Sequence, residues 1–371
     1  LSAAVLSAML ASPAAALETK AKNVILMDYD TGEYLFAENA FVPVAPASMS
    51  KLMTVYVLFS KLKDGTLSLE DVFSVSENAW RTGGAASGSS TMFLPIGSKV
   101  TVENLIKGII IQSGNDACIV AAENIAGSEE DFAELMNAKA KELGLKNSHF
   151  VNSTGLPHPD HRMSAEDLAR LAQALIRDFP EYYSVFSQKS FTYNNILQGN
   201  RNPLLYSMPD ADGLKTGHTA EAGFCLTASV KRGDRRLIGV MTGLKSNKER
   251  SEEAEKLMNW GFREFNNYKV FKQFQRIVSV PVYMGEEKSI DLAVDEDVIM
   301  TIARSKARDV KLTAVYEKPV KAPVAQGDKL GEVKIEIPGG EVKTVPLYAD
   351  HSIRKLGFWG RILSNVKYLL F

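Results

Sequence analysis

The sequence is poor in cysteine and has no excess of charge of either sign. It contains two cysteines, Cys118 and Cys225, in 371 residues, so it lacks the cysteine framework of a small disulfide-rich domain. We expect reduced thiols, with a single bridge as the alternative. Its 43 Lys and Arg residues balance 44 Asp and Glu residues. Because nucleic-acid-binding proteins usually carry a clear basic excess, the composition favours no nucleic-acid partner.

The apolar run at the N-terminus is too short to cross a bilayer. Residues 1–16 carry no charge, but a spanning helix needs about 20 apolar residues. The run ends in Ala14-Ala15-Ala16, a small-residue pattern typical of a signal-peptide cleavage site. We therefore interpret it as the remnant of a signal peptide on a chain that works outside the cytoplasm. A buried N-terminal helix is the alternative.

Residues 17–265 alternate between strand and helix patterns, which predicts a first domain containing both. A strand, a turn and a return strand are expected at residues 23–36, and adjacent strands at residues 224–230 and 236–242. The segment after Lys51 is apolar nearly all round, which indicates a helix buried in a large core. Ser164 has the character of an N-cap residue. The remaining helices are expected at residues 105–126, 164–176 and 252–265.

The pattern changes after about residue 266. Residues 333–337 alternate strictly between apolar and charged and precede a Pro-Gly-Gly turn, so residues 266–348 are predicted to form a small all-β domain. Residues 349–371 are predicted to form an amphipathic helix that lies in a membrane surface. The alternative is a helix packed on the domain core. The apolar face of the predicted helix comprises Leu356, Trp359, Leu363, Val366 and Leu370.

One motif places a hydroxyl and an amine three residues apart. Ser48 and Lys51 fall on the same face of a helical turn. A serine hydroxyl is a weak nucleophile until a base takes its proton, and a lysine can be that base only where burial or nearby positive charge lowers its pKa. Alone the motif is weak, because Ser60 and Lys63 repeat it.

Two further motifs add polar groups. Ser113-Gly114-Asn115 supplies a hydroxyl for proton relay and an amide that can bind a peptide edge. Lys215-Thr216-Gly217 precedes a predicted strand and supplies an amine and a hydroxyl for a substrate carboxylate. Gly217 is expected to let a substrate backbone approach closely. Residues 158–161 (His-Pro-Asp-His) fit a surface turn better than a metal site.

Taken in order, these motifs resemble the penicillin-binding protein and serine β-lactamase superfamily. The segments PASMSKLMT, IIQSGNDAC and GLKTGHTAEAG are similar to the low-molecular-mass D-alanyl-D-alanine carboxypeptidases. Gly114 stands where class A β-lactamases usually carry Asp, which favours the carboxypeptidases. The resemblance implies an α/β (α+β) transpeptidase-like domain with an antiparallel sheet and a helical cluster, then the β domain and the terminal helix. It implies no metal and no organic cofactor.

The resemblance also implies roles in catalysis. Ser48 would attack the carbonyl between two D-alanines, and Lys51 would act as the general base. Ser113 would pass the proton toward the leaving amine, with Lys215 nearby. The backbone N–H groups of Ser48 and His218 would form the oxyanion hole, since charge develops on the carbonyl oxygen.

The remaining implied roles concern substrate binding. Asn115 would orient the substrate peptide. Thr216 and Arg250 would bind its terminal carboxylate, and Arg201 is a weaker candidate for the same task.

The implied function is a D-Ala-D-Ala carboxypeptidase that trims peptidoglycan stem pentapeptides and is acylated by penicillins. The expected location is the periplasm, with the protein attached to the outer face of the bacterial cytoplasmic membrane through its C-terminal helix. Two alternatives stand beside this hypothesis. One is a β-lactamase of the same superfamily, and the other is a non-enzymatic protein that binds or scaffolds the cell wall.

Overall fold

The computed structural model describes residues 17–360, which form two compact units. The first unit ends at Arg263 and the second begins at Glu264. We predicted the division between residues 265 and 266. The predicted signal-peptide remnant, residues 1–16, and the last part of the predicted C-terminal helix, residues 361–371, lie outside the described residues.

The first unit is built on a five-stranded antiparallel sheet with the strand order β2-β1-β9-β8-β7. The predicted hairpin at its N-terminus and the predicted neighbouring strands, β8 and β9, are both confirmed. The strands of the unit are β1 (Asn23–Asp28), β2 (Tyr34–Glu38), β3 (Val72–Ser74), β4 (Lys99–Thr101), β5 (Ser190–Tyr193), β6 (Ile196–Gly199), β7 (Ala211–Thr219), β8 (Gly223–Arg232) and β9 (Arg235–Leu244).

Helices cover this sheet on both faces. Every residue of β1 is buried, as expected for a strand whose sequence is a nearly continuous apolar run. Ile25 belongs to the main core, whereas Leu26 contacts α7 at Gly261, where an added Cβ would lie 2.5 Å from Leu26 Cδ2. The helices are α1 (Lys51–Lys63), α2 (Val102–Lys107), α3 (Asn115–Ala126), α4 (Glu129–Glu142), α5 (Ala165–Asp178), α6 (Leu204–Ser207) and α7 (Asn247–Glu264).

One helix prediction is confirmed and another is wrong. Ser164 caps α5, because its side chain accepts a hydrogen bond of 3.0 Å from the backbone N–H of Asp167. The single helical stretch predicted at residues 105–126 is instead interrupted. Ser113 adopts a left-handed backbone conformation, with φ 65° and ψ 31°, which ends the preceding π-helical turn and lets α3 start afresh at Asn115.

The second unit is the predicted small all-β domain. Its main sheet has six strands in the order β14-β16-β17-β12-β11-β15, and β10 pairs separately with β13. Val333 and Ile335 of β16 are buried, in agreement with the alternating pattern. The strands are β10 (Phe265–Phe271), β11 (Arg276–Tyr283), β12 (Ser289–Ala293), β13 (Val298–Ala303), β14 (Lys311–Tyr316), β15 (Val320–Lys321), β16 (Lys329–Glu336) and β17 (Lys343–Ala349).

The helix predicted over residues 349–371 is wrong for residues 349–357. Ala349 ends β17, and Ile353 forms an isolated bridge with Val324. Ile353 is only 2% exposed and belongs to the β-domain core, so this segment stays extended. Helical structure begins at Phe358. Among the described residues, no helix combines the length and the hydropathy that crossing a bilayer requires.

A core truncation tests the packing of the first unit. Phe59 of α1 is 1% exposed and packs edge-to-face against Phe179 at 5.6 Å and Phe186 at 6.4 Å between ring centroids. We expect Phe59→Ala to cost about 3–5 kcal/mol, because it leaves a cavity. Calorimetry should then show the melting temperature of this unit lowered by roughly 10 °C. Phe41→Ala is the control, since Phe41 is 53% exposed. Equal shifts for the two variants would contradict the packing described here.

Candidate active site

A cleft of about 770 Å³ in the first unit contains most of the residues singled out from the sequence. Among the described residues that line it are two arginines and no aspartate or glutamate, so its side-chain charge is positive. The lining residues are Ser48, Ser90, Ser113, Asn200, Arg201, Pro203, Tyr206, Ser207, Thr216, Gly217, His218, Phe224, Asn247, Arg250 and Ser251.

Ser48 lies in a tight turn immediately before α1. The turn is a 3₁₀ segment, Ala47–Ser50, and Lys51 is the first residue of the helix. Two glycines allow neighbouring backbone to close on this turn. A Cβ at Gly155 would lie 2.1 Å from Ala47 O, and one at Gly217 would lie 3.0 Å from Pro46 O. Gly217 thus allows β7 to approach the turn that carries Ser48, a packing role that we did not foresee from the sequence.

Lys51 is fully buried and contacts three oxygen atoms. Its Nζ lies 2.9 Å from Ser48 Oγ, 2.7 Å from Asn115 Oδ1 and 2.5 Å from the carbonyl oxygen of Thr154. Burial lowers its pKa to about 8, because the low-dielectric interior disfavours the charged amine. Roughly one molecule in ten therefore carries a neutral amine at pH 7, far more than an exposed lysine would give.

The three oxygens differ in what they can do with that neutral amine. A neutral amine has two N–H donors and one lone pair. The amide oxygen of Asn115 and the carbonyl oxygen of Thr154 only accept, whereas the Ser48 hydroxyl can also donate. When the two acceptors take the two N–H groups, the lone pair is left for the Ser48 hydroxyl. The arrangement therefore allows Lys51 to accept the proton of Ser48.

The contribution of Thr154 was missed in the sequence analysis. Asn152 Oδ1 accepts hydrogen bonds from the backbone N–H groups of Thr154 at 3.2 Å and Gly155 at 2.8 Å, which shapes the turn. Gly155 has φ 76°, a conformation suited to glycine. A backbone carbonyl has no signature in sequence, but Asn followed by Gly three residues later is a recognisable turn signal.

Ser113 places a hydroxyl at the cleft without a hydrogen-bond partner among the described residues. The residue is 2% exposed, and its Oγ is buried and unsatisfied. The left-handed conformation of a non-glycine residue is strained, and such strain clusters at functional sites. A buried hydroxyl without a partner destabilises the folded protein, and a hydrogen bond to a bound ligand would remove that penalty. The Ser113 hydroxyl is therefore available to a ligand.

Asn115 is held from two sides in the structure. Besides accepting from Lys51, its side chain donates from Nδ2 to Ser89 Oγ at 2.9 Å. Its backbone N–H donates to the carbonyl oxygen of Ser90 at 2.7 Å, which ties the start of α3 to the loop beside the cleft. We predicted that its amide orients the substrate peptide, and in this structure both ends of that amide are already engaged by Lys51 and Ser89. The visible task of Asn115 is therefore to fix Lys51.

A buried carboxylate next to Asn115 was also missed. Asp116 accepts hydrogen bonds from Thr91 Oγ1 at 2.6 Å and from the backbone N–H groups of Met92 at 2.9 Å and Leu94 at 3.1 Å. It is fully buried and holds the same loop against α3. An acidic residue in the first turn of a helix signals only a favourable helix dipole, so the sequence did not reveal this contact.

The third motif precedes β8, the strand predicted after it, and itself lies within β7. Lys215 is 3% exposed, and its Nζ donates to Thr216 O at 3.1 Å. Burial holds the pKa of Lys215 well below its ordinary value, and the charges of Lys51 and Arg201 lower it further. Thr216 and His218 line the cleft. The motif therefore runs along one wall of the cleft, beside the turn that carries Ser48.

Arg250 brings a buried cation to the same wall. It is 6% exposed and donates from Nη2 to Asn247 Oδ1 at 2.6 Å and from Nη1 to the carbonyl oxygens of Gly217 at 3.4 Å and Cys225 at 3.3 Å. Burial lowers its pKa to about 10. Within residues 17–360, no carboxylate forms an ion pair with it. The second arginine of the lining, Arg201, donates to Ser90 Oγ at 2.5 Å.

Other residues considered in the sequence analysis lie outside this arrangement. Ser60, the second serine of the Ser-x-x-Lys type, donates to Tyr56 O within the last turns of α1. Among the described residues, no cluster of His, Cys, Asp and Glu is suited to a metal ion. His161 is buried, and its Nδ1 accepts from the backbone N–H of Val151. Cys118 and Cys225 are buried free thiols.

Comparison with protein families gives two matches along the chain. Residues 9–246 match the model of a family described as D-alanyl-D-alanine carboxypeptidase. Residues 265–355 match the model of the penicillin-binding protein 5 C-terminal domain. The two matches together span both compact units.

Individual proteins are similar over nearly the whole chain. The D-alanyl-D-alanine carboxypeptidase DacC of Escherichia coli is 42% identical over 345 residues, which cover 92% of this chain and 86% of that protein. DacA of the same organism is 40% identical over 350 residues, which cover 94% of this chain and 87% of that protein. A crystal structure of penicillin-binding protein 5 from Haemophilus influenzae has a TM-score of 0.82 at 37% identity and covers 92% of this chain and 99% of that one.

The pKa of Lys51 predicts how reactivity depends on pH. Only the neutral amine of Lys51 can accept the proton of Ser48. Lowering the pH below about 8 protonates this amine and so reduces the fraction of active enzyme. We expect the rate at which a fluorescent penicillin acylates the protein to rise about tenfold per pH unit toward pH 8 and then to level off. Stopped-flow measurements from about pH 5.5 to about pH 9 test this, with circular dichroism at each pH as the control for unfolding. A rate that is flat below pH 8 would contradict the proposed protonation state.

Proposed function

We propose a reaction path for this chain, which belongs to the D-alanyl-D-alanine carboxypeptidase family. The protein is a serine hydrolase that acts on the D-Ala-D-Ala end of peptidoglycan stem peptides. In our proposal it removes the terminal D-alanine from stem pentapeptides through an acyl-enzyme on Ser48. One observation carries the proposal: the Nζ of the buried Lys51 lies 2.9 Å from Ser48 Oγ, between two oxygens that only accept hydrogen bonds.

The first chemical step transfers a proton and forms a bond. Lys51 Nζ takes the proton of Ser48 Oγ, which attacks the carbonyl carbon between the two D-alanines. The backbone N–H groups of Ser48 and His218 stabilise the oxyanion, and a donor of this kind contributes about 10²–10³ in rate. Ser113, whose buried hydroxyl has no partner among the described residues, relays the proton to the leaving amine of D-alanine, with Lys215 nearby. A water molecule then hydrolyses the ester on Ser48.

The positive charge of the cleft provides the specificity for a free C-terminus. Arg250 and Thr216 bind the terminal carboxylate of the substrate, and Arg201 adds to the attraction. Since no described carboxylate pairs with the buried guanidinium of Arg250, a substrate carboxylate supplies the missing anion. Asn115 acts indirectly, because its amide accepts a hydrogen bond from Lys51 and holds that amine in place.

The same groups explain acylation by β-lactams. A β-lactam presents a strained amide carbonyl to Ser48 and a carboxylate to Arg250, in the arrangement of the D-Ala-D-Ala end. A β-lactamase is the weaker alternative, since Gly114 occupies the position at which class A enzymes usually carry Asp. A non-enzymatic scaffold is not favoured, because the nucleophile and its base lie within hydrogen-bonding distance.

We also propose that the protein works in the periplasm and is attached to the outer face of the cytoplasmic membrane. Two sequence features support this: the small-residue cleavage pattern at residues 14–16 and the spacing of Trp359, Leu363, Val366 and Leu370, which fall on one face of a helix that starts at Phe358. Interfacial binding needs such an amphipathic helix and no spanning segment. The attachment segment then starts at Phe358, where the described helical structure begins.

Loss of the nucleophile tests the reaction path. We expect Ser48→Ala to abolish release of D-alanine from diacetyl-Lys-D-Ala-D-Ala and to remove the penicillin adduct that mass spectrometry locates on Ser48, because among the described residues no other hydroxyl bonds to Lys51 Nζ. Ser60→Ala is the matched control, since Ser60 begins the same short motif but bonds to Tyr56 O instead. Release of D-alanine by the folded Ser48→Ala variant would refute the assignment.

A truncation tests the membrane proposal. Removing residues 358–371 should leave the β domain intact, because Ile353 and its bridge to Val324 are kept. We expect the shortened protein to stay in the supernatant when it is sedimented with anionic lipid vesicles, whereas the full chain sediments with them. The control is D-alanine release, which the truncation should not change. Sedimentation of the truncated protein with vesicles would count against this helix as the anchor.

A further inference from the structure

An aromatic side chain in the cleft contacts two groups of the proposed site. Phe224, near the start of β8, lies directly opposite His218 of β7 in the antiparallel register. Their ring centroids are 4.0 Å apart, with 33° between the ring planes. The guanidinium carbon of Arg250 lies over the same ring, 5.6 Å from its centroid. Phe224 therefore links the first turn of α7 to the wall that carries the third motif.

Arg250 needs such a partner because few groups compensate its charge. It is 6% exposed, and its Nε has no hydrogen-bond partner among the described residues. Its bonds to the two carbonyl oxygens are long, at 3.3 and 3.4 Å, whereas the bond to Asn247 is short. A cation over an aromatic face is stabilised by the negative charge density of that face, and more strongly where water is excluded.

The ring also constrains the direction of the guanidinium. With Phe224 against one part of Arg250 and Asn247 Oδ1 fixing Nη2, the planar fork has little freedom to rotate. A planar fork binds a carboxylate well only when it is presented in the correct orientation. His218 packs against Phe224 and braces the ring in turn. An aliphatic residue of similar volume would fill the space without providing the aromatic face.

We propose that Phe224 is a positioning residue that orients Arg250 for the C-terminal carboxylate of the substrate, with His218 bracing the ring. The inference rests on the proposed role of Arg250 in binding that carboxylate. Phe224 itself makes no bond to the reacting atoms. Its effect appears in how strongly the enzyme prefers ligands that carry the carboxylate over ligands that lack it.

The experiment compares acylation by benzylpenicillin with acylation by its methyl ester, which lacks the negative charge. The wild-type protein is expected to react faster with the acid. Phe224→Leu should lower the rate with the acid about tenfold, which lies between the effects of an exposed and a desolvated cation–π contact, and change the rate with the ester much less. Phe224→Tyr should keep the preference of the wild-type protein, because it keeps the aromatic face.

A second aromatic residue of the cleft is the matched control. Tyr206 also lines the cleft and also has a cation over its ring, since Lys189 Nζ is 5.6 Å from the ring centroid. Arg250, however, lies over the ring of Phe224. Tyr206→Leu should therefore leave the preference for the acid unchanged. In addition, Phe224→Leu combined with Arg250→Gln should be no worse than Arg250→Gln alone, because both act on the same contact.

The outcomes separate this inference from the proposed function. If the wild-type protein does not prefer the acid, or Arg250→Gln keeps the preference, then the carboxylate role of Arg250 fails and the inference fails with it. If Arg250→Gln loses the preference but Phe224→Leu keeps it, only the inference is overturned. Equal losses with acid and ester, or additive effects in the double variant, would also overturn it. Should Phe224→Leu fold poorly, Phe224→Met serves in the same comparison.

Discussion

The chemistry of this protein depends on the exclusion of water from the amine of Lys51. Lys51 is fully buried, and its pKa is about 8 because the interior disfavours the charged form. The folded pKa lies below the ordinary value of 10.5, so the unfolded chain binds more protons between these two values. Folding stability therefore rises with pH across that window and is reduced below it. At neutral pH the burial of Lys51 therefore lowers folding stability, but it also places a base next to Ser48.

Several separate segments combine to keep that amine in place. The turn before α1 supplies Ser48, the start of α3 supplies Asn115, and the turn after α4 supplies the carbonyl of Thr154. Gly155 and Gly217 let the surrounding backbone approach closely enough to exclude water. No single segment creates the low pKa, because burial requires all of them. This dependence explains why a motif of two residues has little meaning without the rest of the first unit.

The cleft adds a second unfavourable arrangement that a ligand can relieve. Arg250 is a buried cation, and in the described structure no carboxylate forms an ion pair with it. Buried charge without a partner is destabilising, and an anionic ligand reverses that penalty on binding. The protein therefore gives up some stability to gain affinity for a carboxylate, as functional sites often do. The contact between Phe224 and Arg250 is consistent with this interpretation, since it moderates the penalty without neutralising the charge.

The local patterns of the sequence determined much of the architecture and the identity of the family. Alternation and apolar runs predicted β1, β2, β8, β9 and the β domain, because strand faces repeat every two residues. The order of three short motifs indicated the family. Tertiary structure alone decided the break at Ser113, the carbonyl of Thr154 and the extended path around Ile353. Each of these features depends on contacts with residues distant in sequence or on backbone atoms that all residues share. Local sequence patterns specify neither kind of contact.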